Sequence, residues 1–364
     1  MSNISVEFGP RNETLLNRTG PLPCPTITPA EWMATQLPTL AFGTAITSTQ
    51  LFNLLIFALW RNKEPYILLH VSLAVASLLA GVAVVTAVPL RYAPYTAVNI
   101  FLNLSFGVCL LIYANTAAIL TNFAISVDRW MSVEFPIKYR TSITHRKTLL
   151  VGSLLIFGGS LIMTIPGFIL FWKDMNYARC TGLRTFSPKG VVFTIWEALK
   201  GPIFFPLLFM SQLRILMIAV GQRLLRVRRR RTAVQVVPAG NAPAQEILRI
   251  VWSSFLGSMA VVFCTLISHV PNYFMSIVPN HASATIRRFG VYLTLVQHCV
   301  SPVIYLLFWP PYRQAVSRLF GQLRAAVTPE PSLETGSTRK RHSLAAKTSA
   351  LDRKRTSGVR AARA

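Results

Sequence analysis

The stretch SVDRWMSVEFPIKY, residues 126–139, decides the fold because it closes an apolar run of helix length with a charged pair. The pair is Asp128-Arg129, followed by Trp130, and Pro136 comes seven residues after the arginine. Charged residues at the end of an apolar run are typical of a helix that reaches the polar edge of a membrane. This run is the third of seven along the chain, so the stretch belongs to a seven-helix pattern.

The composition favours a membrane protein. The chain has 364 residues, of which 52% are hydrophobic and 13% are charged, whereas an average soluble domain has about 25% charged residues. The formal net charge of +25 lies in loops and a tail between the apolar runs. This placement suits an anionic membrane surface, so membrane lipids are expected partners and nucleic acid is not.

Seven apolar runs are long enough to cross a bilayer, which takes about 20 residues each. We place them at 37–60, 66–90, 98–130, 148–172, 191–222, 247–278 and 285–309. Prolines inside the runs are compatible with membrane helices, because neighbouring helices can satisfy the freed carbonyls. The sequence therefore predicts an all-α membrane protein, with a seven-transmembrane helix bundle over 37–309.

The distribution of basic residues predicts the orientation of the bundle. With the N-terminus outside, 24 Lys and Arg residues fall in the inner segments and about 9 in the outer ones, as the positive-inside rule requires. Three N-glycosylation sequons favour the same orientation, because this modification occurs on the lumenal side. They begin at Asn3, Asn12 and Asn17. We expect 1–36 to be a glycosylated extracellular segment of a multi-pass plasma-membrane protein.

The segment after the last run is predicted to contain an eighth helix over 310–326. Its apolar residues recur at helical spacing and its arginines lie elsewhere, which is typical of an amphipathic helix on the inner leaflet. The remainder, 327–364, is rich in Ser, Thr, Lys and Arg. That composition predicts a disordered, basic cytoplasmic tail.

The order and spacing of several motifs resemble those of the class A, rhodopsin-like G-protein-coupled receptors over about residues 40–325. The matching positions are Asn53, LAVASLL at 73–79, Asp128-Arg129-Trp130, Pro206, Pro271, and SPVIY at 301–305 with Pro302 and Tyr305. The resemblance implies that Asp128 restrains Arg129, and that Arg129 moves on activation and contacts a heterotrimeric G protein. No cofactor or metal site is expected, and nothing in the runs resembles a catalytic set.

Five positions depart from the family pattern. Trp130 stands where the family triplet usually ends in tyrosine. Ser77 and Ser301 stand where the family has an aspartate and an asparagine that help to bind sodium, so we expect little sodium modulation. Arg214 replaces a tyrosine; it either reaches lipid phosphates or repels Arg129, which would raise basal signalling. His269 replaces a tryptophan, and is either a core histidine bonded to a neighbour or a pH-sensitive toggle.

Polar residues of the third run share one helix face, because Asn115, Asn122 and Arg129 are seven residues apart and seven residues make about two turns. They either form interhelical hydrogen bonds that join the bundle or have a functional role. From the resemblance we assign the following residues to G-protein coupling and the activation switch: Asp128, Arg129, Tyr305, Pro302, Arg214 and His269.

A ligand pocket is expected between the outer halves of the helices. The family aspartate of amine receptors is replaced by Leu111, and the retinal lysine of opsins by Leu295, so amine and retinal ligands are not expected. Glu197 and Lys200 either pair with each other or meet a ligand, and the basic outer loops favour an acidic one. The pocket candidates are Leu111, Asn115, Glu197, Lys200, His269 and His298, with Gln297 as a further one.

The cysteines depart from the family as well. Family members join the top of the third helix to the second outer loop, but the third-helix position is Leu104 here. We predict a disulfide between Cys24 and Cys180, with Cys109–Cys180 as the alternative. The two other cysteines are expected to be small apolar packing residues: Cys264 and Cys299.

The sequence thus predicts a G-protein-coupled receptor that transduces an unidentified extracellular ligand through a shift between two bundle arrangements. One alternative is a non-signalling decoy or trafficking protein, which the altered switch positions allow. Another is a chemosensory or odorant receptor, because Tyr139 and the following TSITHRK resemble the second inner loop of olfactory receptors. A transporter is not favoured, since repeated halves or paired broken helices are not evident.

Overall fold

The computed structural model describes residues 29–60, 65–93, 96–171, 175–177, 184–186, 200–218, 220–221, 256–271 and 284–327. Nearly all of these residues are helical. Within the described ranges, six helices are long and apolar enough to cross a membrane, and a shorter apolar helix adds a seventh. The predicted seven-helix bundle is confirmed.

The bundle helices are numbered first to seventh in chain order. Their bounds are Leu37–Leu59, Pro65–Tyr92, Ala97–Glu134, His145–Leu170, Lys200–Ile218, Leu256–Pro271 and Ala284–Phe308. The third helix extends four residues beyond its predicted end at 130. It stops at Glu134 because Phe135 has φ −126° and ψ 60°, and a residue that precedes a proline is disfavoured in the α conformation.

Two bundle helices contain π-helical segments that the sequence analysis did not predict. They are Asn103–Cys109 in the third helix and Val151–Gly158 in the fourth. A π-helical turn takes more residues than an α-helical turn and so changes which residues face a neighbour. Around the first segment, Leu104, Cys109 and Phe168 belong to one buried apolar cluster.

Close packing between the first and second helices depends on two glycines. A Cβ atom on Gly81 would lie 2.7 Å from Thr47 Oγ1, and one on Gly43 would lie 2.9 Å from side-chain atoms of Val84 and Val85. Small residues at such crossings let two membrane helices approach closely. The second helix also packs along the third, so it occupies a central place among its neighbours.

Shorter elements accompany the bundle. Helices Pro29–Thr35 and Pro136–Ser142 precede the first and follow the third bundle helix. Strands Met175–Tyr177 and Arg184–Phe186 pair antiparallel, which adds a small ribbon to the predicted all-α fold. The last helix is Pro310–Val327, close to the predicted 310–326. A boundary between two compact units falls inside it, after Ala315.

Candidate functional site: the Arg129 end and the central polar path

The Asp128-Arg129 pair lies near the end of the third helix, at what we call the Arg129 end of the bundle. Asp128 Oδ2 is 3.9 Å from Arg129 Nε. Tyr139, on the short helix Pro136–Ser142, donates a hydrogen bond of 2.7 Å to Asp128 Oδ1. Burial and the nearby Asp128 carboxylate raise the pKa of the Tyr139 phenol, so Tyr139 remains a donor throughout the physiological pH range.

The charged group of Arg129 lies over an aromatic ring of the second helix. Its guanidinium carbon is 4.1 Å from the centre of the Tyr66 ring. The side chain is only 13% exposed, and its Nε and Nη2 atoms have no hydrogen-bond partner among the described residues. The electron-rich face of an aromatic ring attracts such a cation, most strongly where water is excluded.

Seven aromatic rings at this end form what we call the aromatic floor. It consists of Phe57, Trp60, Tyr66, His70, Tyr305, Trp309 and Tyr312, and contacting pairs have centroids 5.1–6.5 Å apart. Within it, His70 Nδ1 is 2.8 Å from the Tyr305 hydroxyl. Tyr305 is 2% exposed, and Pro302, the other predicted switch residue of this motif, lies inside the seventh helix.

Arg214, on the fifth helix, pairs with an acid that neither sequence-based alternative included. Its Nη2 atom is 3.3 Å from Glu134 Oε1, and the Trp130 indole donates a hydrogen bond to Glu134 Oε2. Glu134 therefore supplies Arg214 with a negative partner on the third helix. The ion pair is a contact that neither expectation included, and both lipid contact and repulsion of Arg129 stay predictions.

A buried polar cluster occupies the middle of the bundle and centres on His298. Its Nδ1 is 2.9 Å from Ser77 Oγ, and its Nε2 is 2.9 Å from Asn115 Oδ1. Because an amide oxygen only accepts hydrogen bonds, the Asn115 contact needs a proton on Nε2. Gln297 Nε2 donates to His269 Nε2 at 3.1 Å. Its 3.3 Å approach to His298 Nε2 brings two donors together and is not a hydrogen bond, so Gln297 links the histidines as the chain neighbour of His298. His269 is thus a core histidine bonded to a neighbour, as one alternative stated.

Hydrogen bonds continue from this cluster along the first helix. Gln50 donates to the backbone carbonyl of His298 and, at 3.1 Å, to Ser301 Oγ. Asn53 Nδ2 donates to Gln50 Oε1 at 3.1 Å, and the Tyr312 hydroxyl donates to Asn53 Oδ1 at 3.0 Å. The central polar path therefore runs from His269 through the cluster and the first helix to the aromatic floor.

Other polar contacts join the third helix to the fifth and sixth. Asn122 Nδ2 donates to Thr265 Oγ1 at 2.9 Å, which confirms the interhelical interpretation of this asparagine. Lys200 Nζ donates to Thr116 Oγ1 at 3.2 Å. The predicted partner of Lys200, Glu197, lies outside the described residues, so that pairing stays a prediction.

The remaining predicted residues divide into packing residues and residues outside the described ranges. Leu111 and Cys299 pack against an apolar cluster that includes Leu295, and the ligand pocket assigned to Leu111 stays a prediction. Three sequons and three further predicted residues lie outside the described part of the chain: Asn3, Asn12, Asn17, Cys24, Cys180 and Glu197. Both disulfide alternatives therefore stay predictions.

Several residues that make the contacts above were not predicted from the sequence, and Gln50, Tyr66 and His70 are among them. Each is a polar residue in or next to an apolar run, and polar groups in membrane helices are costly unless they have a role. Tyr66 and His70 are four residues apart and so share a helix face. Polarity and spacing together therefore distinguish these residues within the sequence itself.

Comparisons with known proteins identify relatives across most of the bundle. The family described as 7 transmembrane receptor (rhodopsin family) matches residues 53–305. Growth hormone secretagogue receptor type 1 of Mustela putorius furo is 25% identical over 221 residues, which cover 56% of this chain and 58% of that protein. The Sus scrofa protein of the same name is 25% identical over 223 residues, with the same coverage.

An alpha-1A adrenergic receptor, from Oryzias latipes, is also similar. It is 26% identical over 243 residues, which cover 59% of this chain and 51% of that protein. The chain therefore spans between half and three fifths of the length of the curated relatives it matches. The residues matched by the family, 53–305, include Arg129, Tyr66, His70, His298 and Tyr305.

Proposed function

We propose, from the premise that the chain belongs to the rhodopsin family of seven-transmembrane receptors, that it is a G-protein-coupled receptor. It is a multi-pass membrane protein with apolar helices throughout the matched region. In this proposal it resides in the plasma membrane with its N-terminus outside. An unidentified extracellular ligand activates a heterotrimeric G protein inside.

The observation that carries this proposal is the set of contacts made by the Arg129 side chain. A guanidinium is costly near a membrane interior and is usually kept there for a function. Arg129 contacts the face of the Tyr66 ring and lies 3.9 Å from the Asp128 carboxylate. Two of its nitrogens have no hydrogen-bond partner among the described residues. A group held in this way can exchange its contacts for those of a partner when the helices shift.

An exposed apolar residue beside this group supports a protein partner at the same end. Ile137 is 82% exposed on the short helix Pro136–Ser142. The hydrogen bond from Tyr139 to Asp128 ties this helix to the residue next to Arg129. A G protein that contacts Arg129 could cover the Ile137 side chain, and burial of such a side chain contributes about 1.5–3 kcal/mol.

The middle of the bundle supports the class of ligand that we favour, an acidic molecule. Lys200 is 5% exposed and bonds Thr116, the neighbour of the pocket candidate Asn115. A ligand carboxylate would bring negative charge next to the buried ammonium, and displacement of Asn115 would alter the polar path.

Basal nucleotide exchange by purified receptor tests the proposal. We expect ligand-free receptor in lipid nanodiscs to accelerate guanine-nucleotide exchange on a G protein from at least one of the four Gα classes. Arg129→Ala should reduce that acceleration about tenfold, whereas Leu154→Ala, at a side chain 61% exposed on the fourth helix, should not. Exchange no faster than with empty nanodiscs for all four classes would favour the non-signalling alternative.

A further inference from the structure

We propose that the first two turns of the second helix form a clamp, made of Tyr66 and His70, that holds Arg129 and Tyr305 in the ligand-free receptor and limits basal coupling. This inference rests on the proposed function above, because it assigns positioning residues to the same activation switch. It adds two side chains that the family motifs did not identify.

The first half of the clamp is the contact between Tyr66 and Arg129. The guanidinium carbon lies 4.1 Å from the ring centre, which is well inside the range of about 6 Å for cation–π attraction. The Arg129 side chain is largely buried. Water therefore competes weakly for the guanidinium, and the cation–π attraction to Tyr66 would be lost if Arg129 moved away from the second helix.

The second half of the clamp is the hydrogen bond between His70 and Tyr305. His70 Nδ1 is 2.8 Å from the Tyr305 hydroxyl, and both residues are buried. Their rings also meet edge to face, with centroids 5.2 Å apart and an interplanar angle of 87°. The seventh helix is thus attached to the second by a polar contact and a ring contact at one residue.

The two halves of the clamp contact each other. Tyr66 and His70 are one helical turn apart, and their rings pack edge to face at 6.3 Å and 87°. A rearrangement that separates the third and seventh helices from the second must therefore break contacts on a single aromatic pair. The equilibrium between two bundle arrangements would then depend on the second helix as well as on Asp128.

Matched substitutions distinguish a clamp from simple packing. Tyr66→Leu keeps an apolar side chain but removes the ring face, whereas Tyr66→Phe keeps the face and loses only the hydroxyl. Likewise, His70→Leu removes the partner of the Tyr305 hydroxyl, whereas His70→Asn places an amide close to the position of Nδ1. A role in packing alone predicts that any difference in signalling within each pair of variants follows the difference in their unfolding temperatures.

The experiment measures nucleotide exchange by full-length, ligand-free variants in nanodiscs, with the four Gα classes, and records each thermal unfolding temperature. Loss of either contact should raise basal exchange about three- to tenfold. Tyr66→Phe and His70→Asn should stay within about twofold of wild type. The increase caused by Tyr66→Leu should vanish when Arg129→Ala is added, because the clamp acts through Arg129.

The outcomes separate this inference from the proposed function. If Arg129→Ala lowers exchange while Tyr66→Leu and Tyr66→Phe behave alike, the clamp is overturned and the receptor assignment stands. If Tyr66→Leu lowers exchange in parallel with the unfolding temperature, Tyr66 has only a packing role and the clamp is overturned. If Tyr66→Leu does not yield folded receptor, the clamp is tested by the difference in basal exchange between His70→Leu and His70→Asn. Equal exchange by these two variants overturns it.

Discussion

The Arg129 end and the central polar path differ in which family positions they retain. At the Arg129 end, the family residues Arg129 and Tyr305 are present, and the second helix supplies their described contacts through Tyr66 and His70. The groups that would meet a G protein, the Arg129 guanidinium and the Tyr305 hydroxyl, are therefore those that the family usually has. The two residues of the second helix that contact these groups lie outside the family motifs named above.

The central polar path shows the reverse arrangement. Two family positions are serines here, and the groups that bond them are large: His298 bonds Ser77, and Gln50 bonds Ser301. Serine hydroxyls thus stand where the family has a carboxylate and an amide. Both regions build a connected set of contacts, but the Arg129 end keeps Arg129 and Tyr305, whereas the central polar path keeps Asn53 and has serines at two family positions.

This difference teaches that output and restraint are separable within one bundle. A group that contacts a partner must keep its chemistry, whereas a group that stabilises the resting arrangement can be replaced by any side chain that satisfies the same neighbours. Variants that affect one region and spare the other are therefore the informative ones.

The largest effect on stability is expected from a substitution that removes the hydrogen bonds of His298 in the middle of the bundle. His298→Leu leaves Ser77 and Asn115 without their described partner, and interhelical hydrogen bonds in membranes contribute roughly 0.6–1.7 kcal/mol each. We expect a loss of roughly 2–3 kcal/mol of stability, visible as a lower unfolding temperature in detergent. A conservative variant, His298→Asn, should lose less. An unfolding temperature equal to wild type would contradict the central role of this ring.

A charged substitution at the exposed residue Ile137 should impair coupling to a G protein and leave the stability of the fold unchanged. Ile137→Asp places a carboxylate on a side chain that is 82% exposed, so the folded receptor gains no buried charge. We expect nucleotide exchange to fall about tenfold, since burial of that charge against a partner is costly. Ile137→Val serves as the control. Normal exchange by Ile137→Asp would remove this residue from the proposed contact surface.

A smaller effect is expected from the ion pair between the third and fifth helices. Arg214 is 57% exposed, so solvent screens its attraction to Glu134 and the pair contributes about 0–1 kcal/mol. Arg214→Tyr, which restores the family residue, should change basal exchange less than threefold. A change as large as that of Tyr66→Leu would mean that the ion pair, rather than the second helix, is the main restraint.

The smallest effect is expected from sodium. The Ser77 and Ser301 hydroxyls already contact His298 and Gln50, and neither carries the negative charge that a cation prefers. Replacing sodium with N-methylglucamine at constant ionic strength should leave the unfolding temperature and basal exchange unchanged. A sodium-specific stabilisation would show that the central polar path retains a cation site. The central polar path would then keep a family feature, as the Arg129 end does.

Much of the fold was predictable because membrane helices need long apolar runs. The seven runs and the last helix match the described helices to within several residues at most of the ends that can be compared. The π-helical segments were not predictable, since an extra residue in a turn leaves no periodic signal in a uniformly apolar run. The end of the third helix at Glu134 depends on Phe135 and Pro136 and could have been predicted from them.

The site was only partly predictable. Spacing correctly placed Asn115 and Arg129 on polar contacts, because one helix defines its own face. It did not identify their partners, His298 and Tyr66, since those lie on other helices and pairing between helices is set by packing. The partner of Arg214 was not identified for the same reason, because Glu134 lies 80 residues earlier in the chain and on another helix.

The most direct test of the account is the order of ligand-free nucleotide exchange among four full-length receptors at equal amount in nanodiscs. We predict Tyr66→Leu above wild type, Tyr66→Phe close to wild type, and Arg129→Ala below it, because Arg129 is the output group and the second helix holds it. Equal exchange by wild type and Arg129→Ala, or a Tyr66→Leu value no higher than that of Tyr66→Phe, would contradict the account.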